Sequence, residues 1–310
     1  MKLKKIERII SSHNSQYKGR FAPSPSGPLH FGSLITAIAS FLDAKINNGQ
    51  WFLRIDNSDF TREQKNASDK IIKTLELHGF EWDGTVQYQS DSYDLYQKSI
   101  DFLKQNNHVF RCECSRKNLI KNKIGSNGFI YTGTCHNKII HKNYSLRVFV
   151  SNTNIEFTDS LQGNQKCSLE SEISDFIIWR RDNIASYHLA TVIDDNELNV
   201  TNIVRGFDLI NSTFCQIHLQ NILNHKTPAY SHIPIVVDQD GNKLSKQFGA
   251  CGIENEAASK NLYNALVALC QEPPEELSNE RLDSIWDWAI VNWDMNKLRM
   301  LSSLNHIEIT

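Results

Sequence analysis

Residues 20–33 read RFAPSPSGPLHFGS, and this stretch decides how the rest of the chain is organised. Pro23, Pro25 and Pro28 fix φ and remove backbone donors, while Gly27 and Gly32 let a ligand come close to the main chain. Upstream, residues 19–22 read as a short buried strand. Downstream, residues 34–46 (LITAIASFLDAKI) carry apolar side chains at helical spacing. Strand, stiff loop and helix form the arrangement in which α/β proteins hold ligands, at the carboxyl end of a strand. A helix that starts near Gly32 and Ser33 aims unpaired N–H groups and its positive dipole end at the loop, which favours phosphate; His30 can donate to a phosphate oxygen there. Taken alone, the stretch also suits a proline-rich connection around a satisfied core histidine.

Working outward, residues 51–55 (WFLRI) read as a second strand, followed by helical patterns over 67–78 and 93–106. From 108 to about 147 the pattern breaks into short pieces rich in Cys, Lys, Asn and Gly, as an inserted module would. Strand-like runs return at 175–180 (DFIIWR), 189–194 (LATVID), 202–206 (NIVRG) and 233–237 (IPIVV), with a helix near 212–223. The last run enters a turn whose Asp240-Gly241 pair suits a hairpin. The expected fold is α/β, a Rossmann-like doubly wound parallel sheet split by an insertion and closed by a small helical appendage. Its expected segments are a leader (1–18), two halves of the catalytic domain (19–107 and 175–250), the insertion (108–174) and the appendage (251–310) with Trp286, Trp288 and Trp293.

With 310 residues, 40% of them hydrophobic, the chain is long enough for a real core, and a formal charge of −2 excludes a globally basic nucleic-acid binder. The opening MKLKKIERII holds too short an apolar stretch for a signal peptide, and no run approaches the roughly 18 apolar residues of a membrane span. A cytoplasmic protein is expected. In that reducing setting the crowding of Cys112, Cys114 and Cys135 suggests metal more than disulfides. Three thiolates would hold zinc tetrahedrally with a fourth ligand, for which general zinc chemistry favours His136 or the more distant His141.

The pattern P-x-P-x-G-x-x-H-x-G-S, with His30-Phe31-Gly32-Ser33 at its end, resembles the first signature of class I aminoacyl-tRNA synthetases, and the flanking RFAPSPSG resembles their glutamyl and glutaminyl branch. Residues 243–247, KLSKQ, stand late in the chain and resemble the family's second signature. The resemblance covers about residues 19–250. It implies an ATP site of Gly27, His30, Gly32, Ser33, Lys243 and Lys246, with magnesium on the phosphates. His30 and Lys246 are the expected catalytic residues, stabilising the α-phosphate and the departing pyrophosphate. Glutamate is anionic: Arg20 and Arg205 suit its two carboxylates, Asp56 its α-ammonium, and Tyr187, Ala22 and Ser24 complete the pocket. One departure stands out. Where the branch reads R-I-E-D, this chain has Arg54-Ile55-Asp56-Asn57, shorter by one methylene at the first acid and neutral at the second.

Short paralogues of the branch carry C-x-C followed by Y-x3-C, so the resemblance implies one structural zinc on Cys112, Cys114, Cys135 and the Tyr131 oxygen, with His136 as the reserve ligand. The stretch after Gln247 is too short for the large anticodon-gripping region of full glutamyl synthetases. Resemblance to the short paralogues therefore implies activation of L-glutamate by ATP without tRNA. Transfer to queuosine at the wobble position of tRNA(Asp) would follow. The tRNA phosphates would meet Arg116, Lys117, Lys121 and Lys123, or Arg180 with Arg181; no membrane is involved, and a monomer is expected. Two other readings compete: a truncated but conventional glutamyl-tRNA ligase, and a non-catalytic synthetase-like module for tRNA binding or regulation.

Overall fold

The structure, a computed structural model, describes residues 17–237 and 252–305. It opens with strand β1 (Lys18–Phe21), helix α1 (Phe31–Ile46), strand β2 (Gln50–Ile55), helix α2 (Ala67–Leu77), strand β3 (Gln87–Tyr88) and helix α3 (Tyr93–Gln105). The strands are parallel, with Arg20 level with Phe52 and Arg54 with Gln87. Each crossover is the helix that the apolar spacing predicts. Residues 109–179 then form shorter pieces: β4 (Val109–Cys112), α4 (Arg116–Leu119), β5 (Ile124–Gly125), β6 (Gly128–Phe129), β7 (Ser145–Val148), β8 (Asn154–Asp159), β9 (Gly163–Ser168), α5 (Leu169–Glu172) and β10 (Ile177–Trp179). The chain returns through α6 (Tyr187–Glu197), β11 (Asn202–Gly206), α7 (Ile210–Ile222), β12 (Ala229–Ile233) and β13 (Ile235–Val237), and continues with α8 (Ala258–Ala268), α9 (Leu282–Asn292) and β14 (Ser303–Asn305).

Strand β11 pairs parallel with β12 and starts beside β1: the Thr201 N–H donates to Lys18 O at 3.0 Å, and the Lys18 N–H to Thr201 Oγ1 at 2.9 Å. The loops that leave β1 and β11 consequently emerge together. This is the α/β parallel architecture expected, with three local corrections. Residues 189–194 are not a strand but the middle of α6, which Ser186 caps by accepting the Leu189 N–H. All of Leu189 to Asp195 is buried, and a short apolar run buried on every side carries no period that separates strand from helix. Residues 175–180 yield β10, which pairs antiparallel with β7 in a sheet with β4 and does not join the parallel one. The run 233–237 is divided at Pro234, which has no N–H for a ladder, so Ile233 ends β12 and Ile235 begins β13 beside β14. The hairpin expected at Asp240-Gly241 lies outside the described residues.

Helix α1 lies in the core between the sheet and the C-terminal helices α8 and α9. Its apolar run is nearly continuous because both faces are covered: Leu34, Ile38 and Leu42 are fully buried, as are Trp51 on β2 and Ile285 on α9. Phe41, Trp51, Phe80 and Trp286 interlock with ring centroids 5.1–5.6 Å apart. Residues 258–298 thus share the core of the first half. Gly79, at φ +80°, makes room for this: a Cβ there would lie 2.9 Å from Trp286 Nε1, which donates to His78 O at 2.8 Å. A second apolar cluster joins α3, α6 and α7 to β7 and β10. Among the described residues no helix is long and apolar enough to cross a membrane.

Candidate active site

Where the loops after β1 and β11 emerge, a cleft of about 700 Å³ opens. Its floor is the proline loop. That loop is held by three foreign segments: the Asp56 N–H donates to Pro23 O, Gln64 N–H to Pro25 O, and Ile253 N–H to Leu29 O, at 2.9–3.0 Å. With φ fixed at the prolines and carbonyls tied down, the loop presents a rigid surface. Gly27 turns it at φ 141°, a conformation that favours glycine, and stands outside the cleft lining. His30, Gly32 and Ser33 all line the cleft. Helix α1 starts at Phe31, earlier than its apolar pattern suggests, with His30 as N-cap: Nδ1 accepts the Ser33 N–H at 3.2 Å, and Nε2 lies 3.0 Å from Ser33 Oγ. No acidic side chain occupies the first turn, so the N–H groups and dipole there remain suited to an anion. Lys243 and Lys246 lie outside the described residues; the flanks of their segment, Val236 and Ile253, both border the proline loop or the cleft.

The expected amino-acid contacts Arg20, Ala22, Ser24, Asp56, Tyr187 and Arg205 also line this cleft. Beneath them lies a charge network that sequence reasoning missed. Arg20 gives Nε and Nη2 to Asp195, at 3.0 and 3.3 Å, so half of its fork is already committed. Arg54 donates Nη1 to the same carboxylate at 2.7 Å and Nε to Asp56 at 2.7 Å, with Asp194 at 3.9 Å. Asp194 in turn accepts from Tyr96 Oη at 2.7 Å and Gln89 Nε2 at 2.9 Å. Burial pushes Asp56 up despite Arg54, and pushes Asp194 up to about 6; burial acts on Asp195 too, but the guanidiniums of Arg20 and Arg54 hold it below its ordinary value. Three carboxylates against two guanidiniums leave a surplus negative charge when all are ionised, which favours an ammonium group. The signal for Asp194 and Asp195 is two acids closing the apolar run LATVIDD, unintelligible while the run is taken for a strand.

A sequence profile described as tRNA synthetases class I (E and Q), catalytic domain, matches residues 16–271. The chain belongs to this family. Over nine-tenths of its length it is 43% identical to the glutamyl-Q tRNA(Asp) synthetase of Aromatoleum aromaticum and 42% identical to that of Methylococcus capsulatus, covering 92% and 94% of those proteins. Its fold is similar to that of the glutamate-tRNA synthetase of Elizabethkingia anophelis: TM-score 0.77 at 20% identity, over 95% of this chain and 68% of the other.

In this synthetase chain Arg205 is the third buried guanidinium of the cleft, after Arg20 and Arg54. It donates Nη1 to Gln216 Oε1 at 2.8 Å and Nη2 to Thr213 Oγ1 at 2.6 Å, and the Tyr187 hydroxyl sits 3.4 Å from Nη1. Away from the cleft, the Sγ atoms of Cys112, Cys114 and Cys135 lie within 4.8 Å of one another, a donor set that fits a soft cation such as zinc. Neither His136 nor His141 joins them. His136 Nε2 is committed to Asp175 Oδ2 at 2.5 Å, whereas Tyr131 Oη accepts the Cys135 N–H at 2.6 Å. Of the basic residues expected to meet tRNA, Arg180 is paired with Asp59 and Asp182, while Arg116, Lys117, Lys121 and Lys123 are exposed.

Proposed function

We propose that the chain is an ATP-dependent ligase that activates L-glutamate as glutamyl-adenylate and transfers the glutamyl group to queuosine of tRNA(Asp). The observation that carries this reading is 39–43% identity, over more than nine-tenths of the chain, to proteins named glutamyl-Q tRNA(Asp) synthetase that are nearly as long as it is. In the first step a glutamate α-carboxylate oxygen bonds to the α-phosphorus while the bond to pyrophosphate breaks. In the second, a hydroxyl of the queuosine cyclopentenediol attacks the acyl carbon and AMP departs.

Negative charge grows on the phosphates in the first step, so positioned cations and N–H groups suffice and no side chain need act as a nucleophile. His30 and the start of α1 would hold the α-phosphate, Lys246 and magnesium the pyrophosphate, with Gly27, Gly32, Ser33 and Lys243 shaping the site. Arg20 and Arg205 would take the carboxylates of glutamate, and the surplus charge at Asp56 its ammonium, with Tyr187, Ala22 and Ser24 alongside. Shortening Glu to Asp in this motif is consistent with that role because Asp56 is drawn towards Arg54 and shares its charge. A structural zinc on Cys112, Cys114, Cys135 and Tyr131, a monomeric state, a cytoplasmic location and independence of the first step from tRNA complete the proposal.

Glutamate-dependent ATP–pyrophosphate exchange without tRNA tests the first step, and labelled glutamate offered to queuosine-containing and queuosine-lacking tRNA(Asp) tests the second. Exchange with labelling of the modified RNA alone is expected. Labelling of the unmodified RNA at its terminal adenosine would make the chain a conventional ligase, and no exchange with glutamate would leave a binding module.

A further inference from the structure

Arg205 is aimed by a chain of buried groups that starts in the β8–β9 hairpin. Asp159, at the end of β8, is 1% exposed. Its Oδ1 accepts the N–H groups of Leu161 and Gln162 at 3.0 and 2.9 Å, and its Oδ2 faces His232 Nδ1 at 2.6 Å. His232, fully buried on β12, meets Arg205 Nε at 3.1 Å through its other ring nitrogen. A guanidinium can only donate, so His232 Nε2 must offer a lone pair, and the ring proton must sit on Nδ1 facing the carboxylate. The opposite tautomer would set N–H against N–H, and an imidazolium would set two cations 3.1 Å apart. Burial and Arg205 disfavour that charged form, and the short bond to Asp159 does not outweigh them.

With Nε fixed, Gln216 and Thr213 hold one N–H of each terminal nitrogen. The remaining contacts of those nitrogens are long: 3.4 Å to Tyr187 Oη and 3.5 Å to Leu209 O, from two residues that line the cleft. A carboxylate entering there replaces two weak contacts with a bidentate pair. We propose that Asp159 and His232 are positioning residues for Arg205, setting the imidazole tautomer that turns the guanidinium's paired N–H edge towards a carboxylate of glutamate. This rests on the role proposed above for Arg205.

Two measurements test it. In the wild-type protein, 15N NMR of labelled histidine reports which ring nitrogen of His232 carries the proton. Nδ1–H with an unprotonated Nε2 is expected at neutral pH; Nε2–H, or protonation of both, overturns the proposal. The second uses Asp159→Asn. The amide oxygen keeps the Leu161 and Gln162 N–H groups, so the NH₂ must face His232 Nδ1 and drive the proton to Nε2. The KM for glutamate in pyrophosphate exchange should then rise about tenfold to a hundredfold, the cost of losing a hydrogen bond to a charged group, while the KM for ATP stays within about twofold. Equal rises in both would instead mark Asp159 as a general support of the hairpin and overturn the positioning role. If the wild type shows no glutamate-dependent exchange, the functional reading fails while the tautomer measurement still decides the Asp159–His232–Arg205 chain, and it needs no variant to fold.

Discussion

Two regions of this molecule gather acidic groups out of water, and they balance them in opposite ways. At the base of the cleft, Asp56, Asp194 and Asp195 face Arg20 and Arg54, so most of the countercharge belongs to the protein. Among residues 112–135, three thiols and a phenol have a nearby guanidinium: Arg147 donates Nε to Cys112 Sγ at 3.3 Å and lies 4.4 Å over the Tyr131 ring. Burial first, and then the neighbouring thiols, push Cys114 up to about 12, whereas burial of Cys135 is outweighed by hydrogen bonds from the Glu113 backbone and from Tyr131, which hold it below its ordinary value. The cleft network has two guanidiniums of its own for its three carboxyls, and in the proposed role the remaining charge is met by the substrate ammonium. The thiol cluster would draw its countercharge from a bound cation, which in the proposed role is the structural zinc.

The largest effects should separate the two regions. Removing a proposed phosphate contact by His30→Ala or Lys246→Ala should each slow pyrophosphate exchange by about 10²-fold or more, as loss of a charge-stabilising group in a reaction centre does, with zinc content unchanged. Exchange within a few-fold of wild type would take both residues out of the catalytic role. Around the thiol cluster the contrast is between Tyr131→Phe and His136→Gln. The wild type should bind about one equivalent of zinc by atomic absorption. Tyr131→Phe should weaken retention against a chelator roughly tenfold to a hundredfold and lower Tm, whereas His136→Gln, whose ring faces Asp175, should retain the metal. The reverse pattern would move the fourth ligand to His136. In either variant exchange should change far less than in His30→Ala, since no ligand of the cluster lines the cleft.

The same contrast explains what could be read from the amino acids alone. The cysteine cluster is local: Cys112 ends β4, and Cys114, Tyr131 and Cys135 follow it before β7, so spacing announces it. The proline loop is also contiguous, and its prolines and glycines state their backbone geometry outright. The charge network draws Arg20 from β1, Arg54 and Asp56 from β2 and its end, and Asp194 and Asp195 from α6; no local pattern links these positions. It is also hidden behind the misreading of residues 189–194, since acids at the end of an apparent strand look like a turn. His232 escaped for a related reason. Its partners Asp159, Thr213 and Arg205 come from β8, α7 and β11, and only the parallel pairing of β11 with β12 sets His232 level with Arg205. Tyr187 is read into the pocket from the resemblance alone and lines the cleft, although the helix that carries it is not legible in the sequence.

The smallest predicted effect concerns the charge surplus of the cleft. Asp194 and Asp195 are neighbours on one helix, yet their carboxyls are moved in opposite directions, Asp194 up to about 6 and Asp195 downwards. A carboxyl raised in the folded state holds its proton more tightly there than in the unfolded chain. Its stabilising share is therefore complete below the unfolded value of about 4 and disappears as pH rises through about 6. Asp195 has the other sign: its contribution is present above the unfolded value and is lost as pH falls. The total pH curve mixes both, so the useful quantity is the difference between wild type and Asp194→Asn. The amide oxygen can still accept from Tyr96 Oη and Gln89 Nε2, so the fold should be kept. On going from pH 5 to pH 7.5, wild type should lose about 1 kcal/mol relative to the variant, read as roughly 2 °C in the difference of Tm. A difference that stays flat across that range would mean that Asp194 is ionised throughout, with Arg54 and Tyr96 outweighing burial. The cleft would then carry its full surplus charge already at pH 5, and the glutamate ammonium would meet the same charge at either pH.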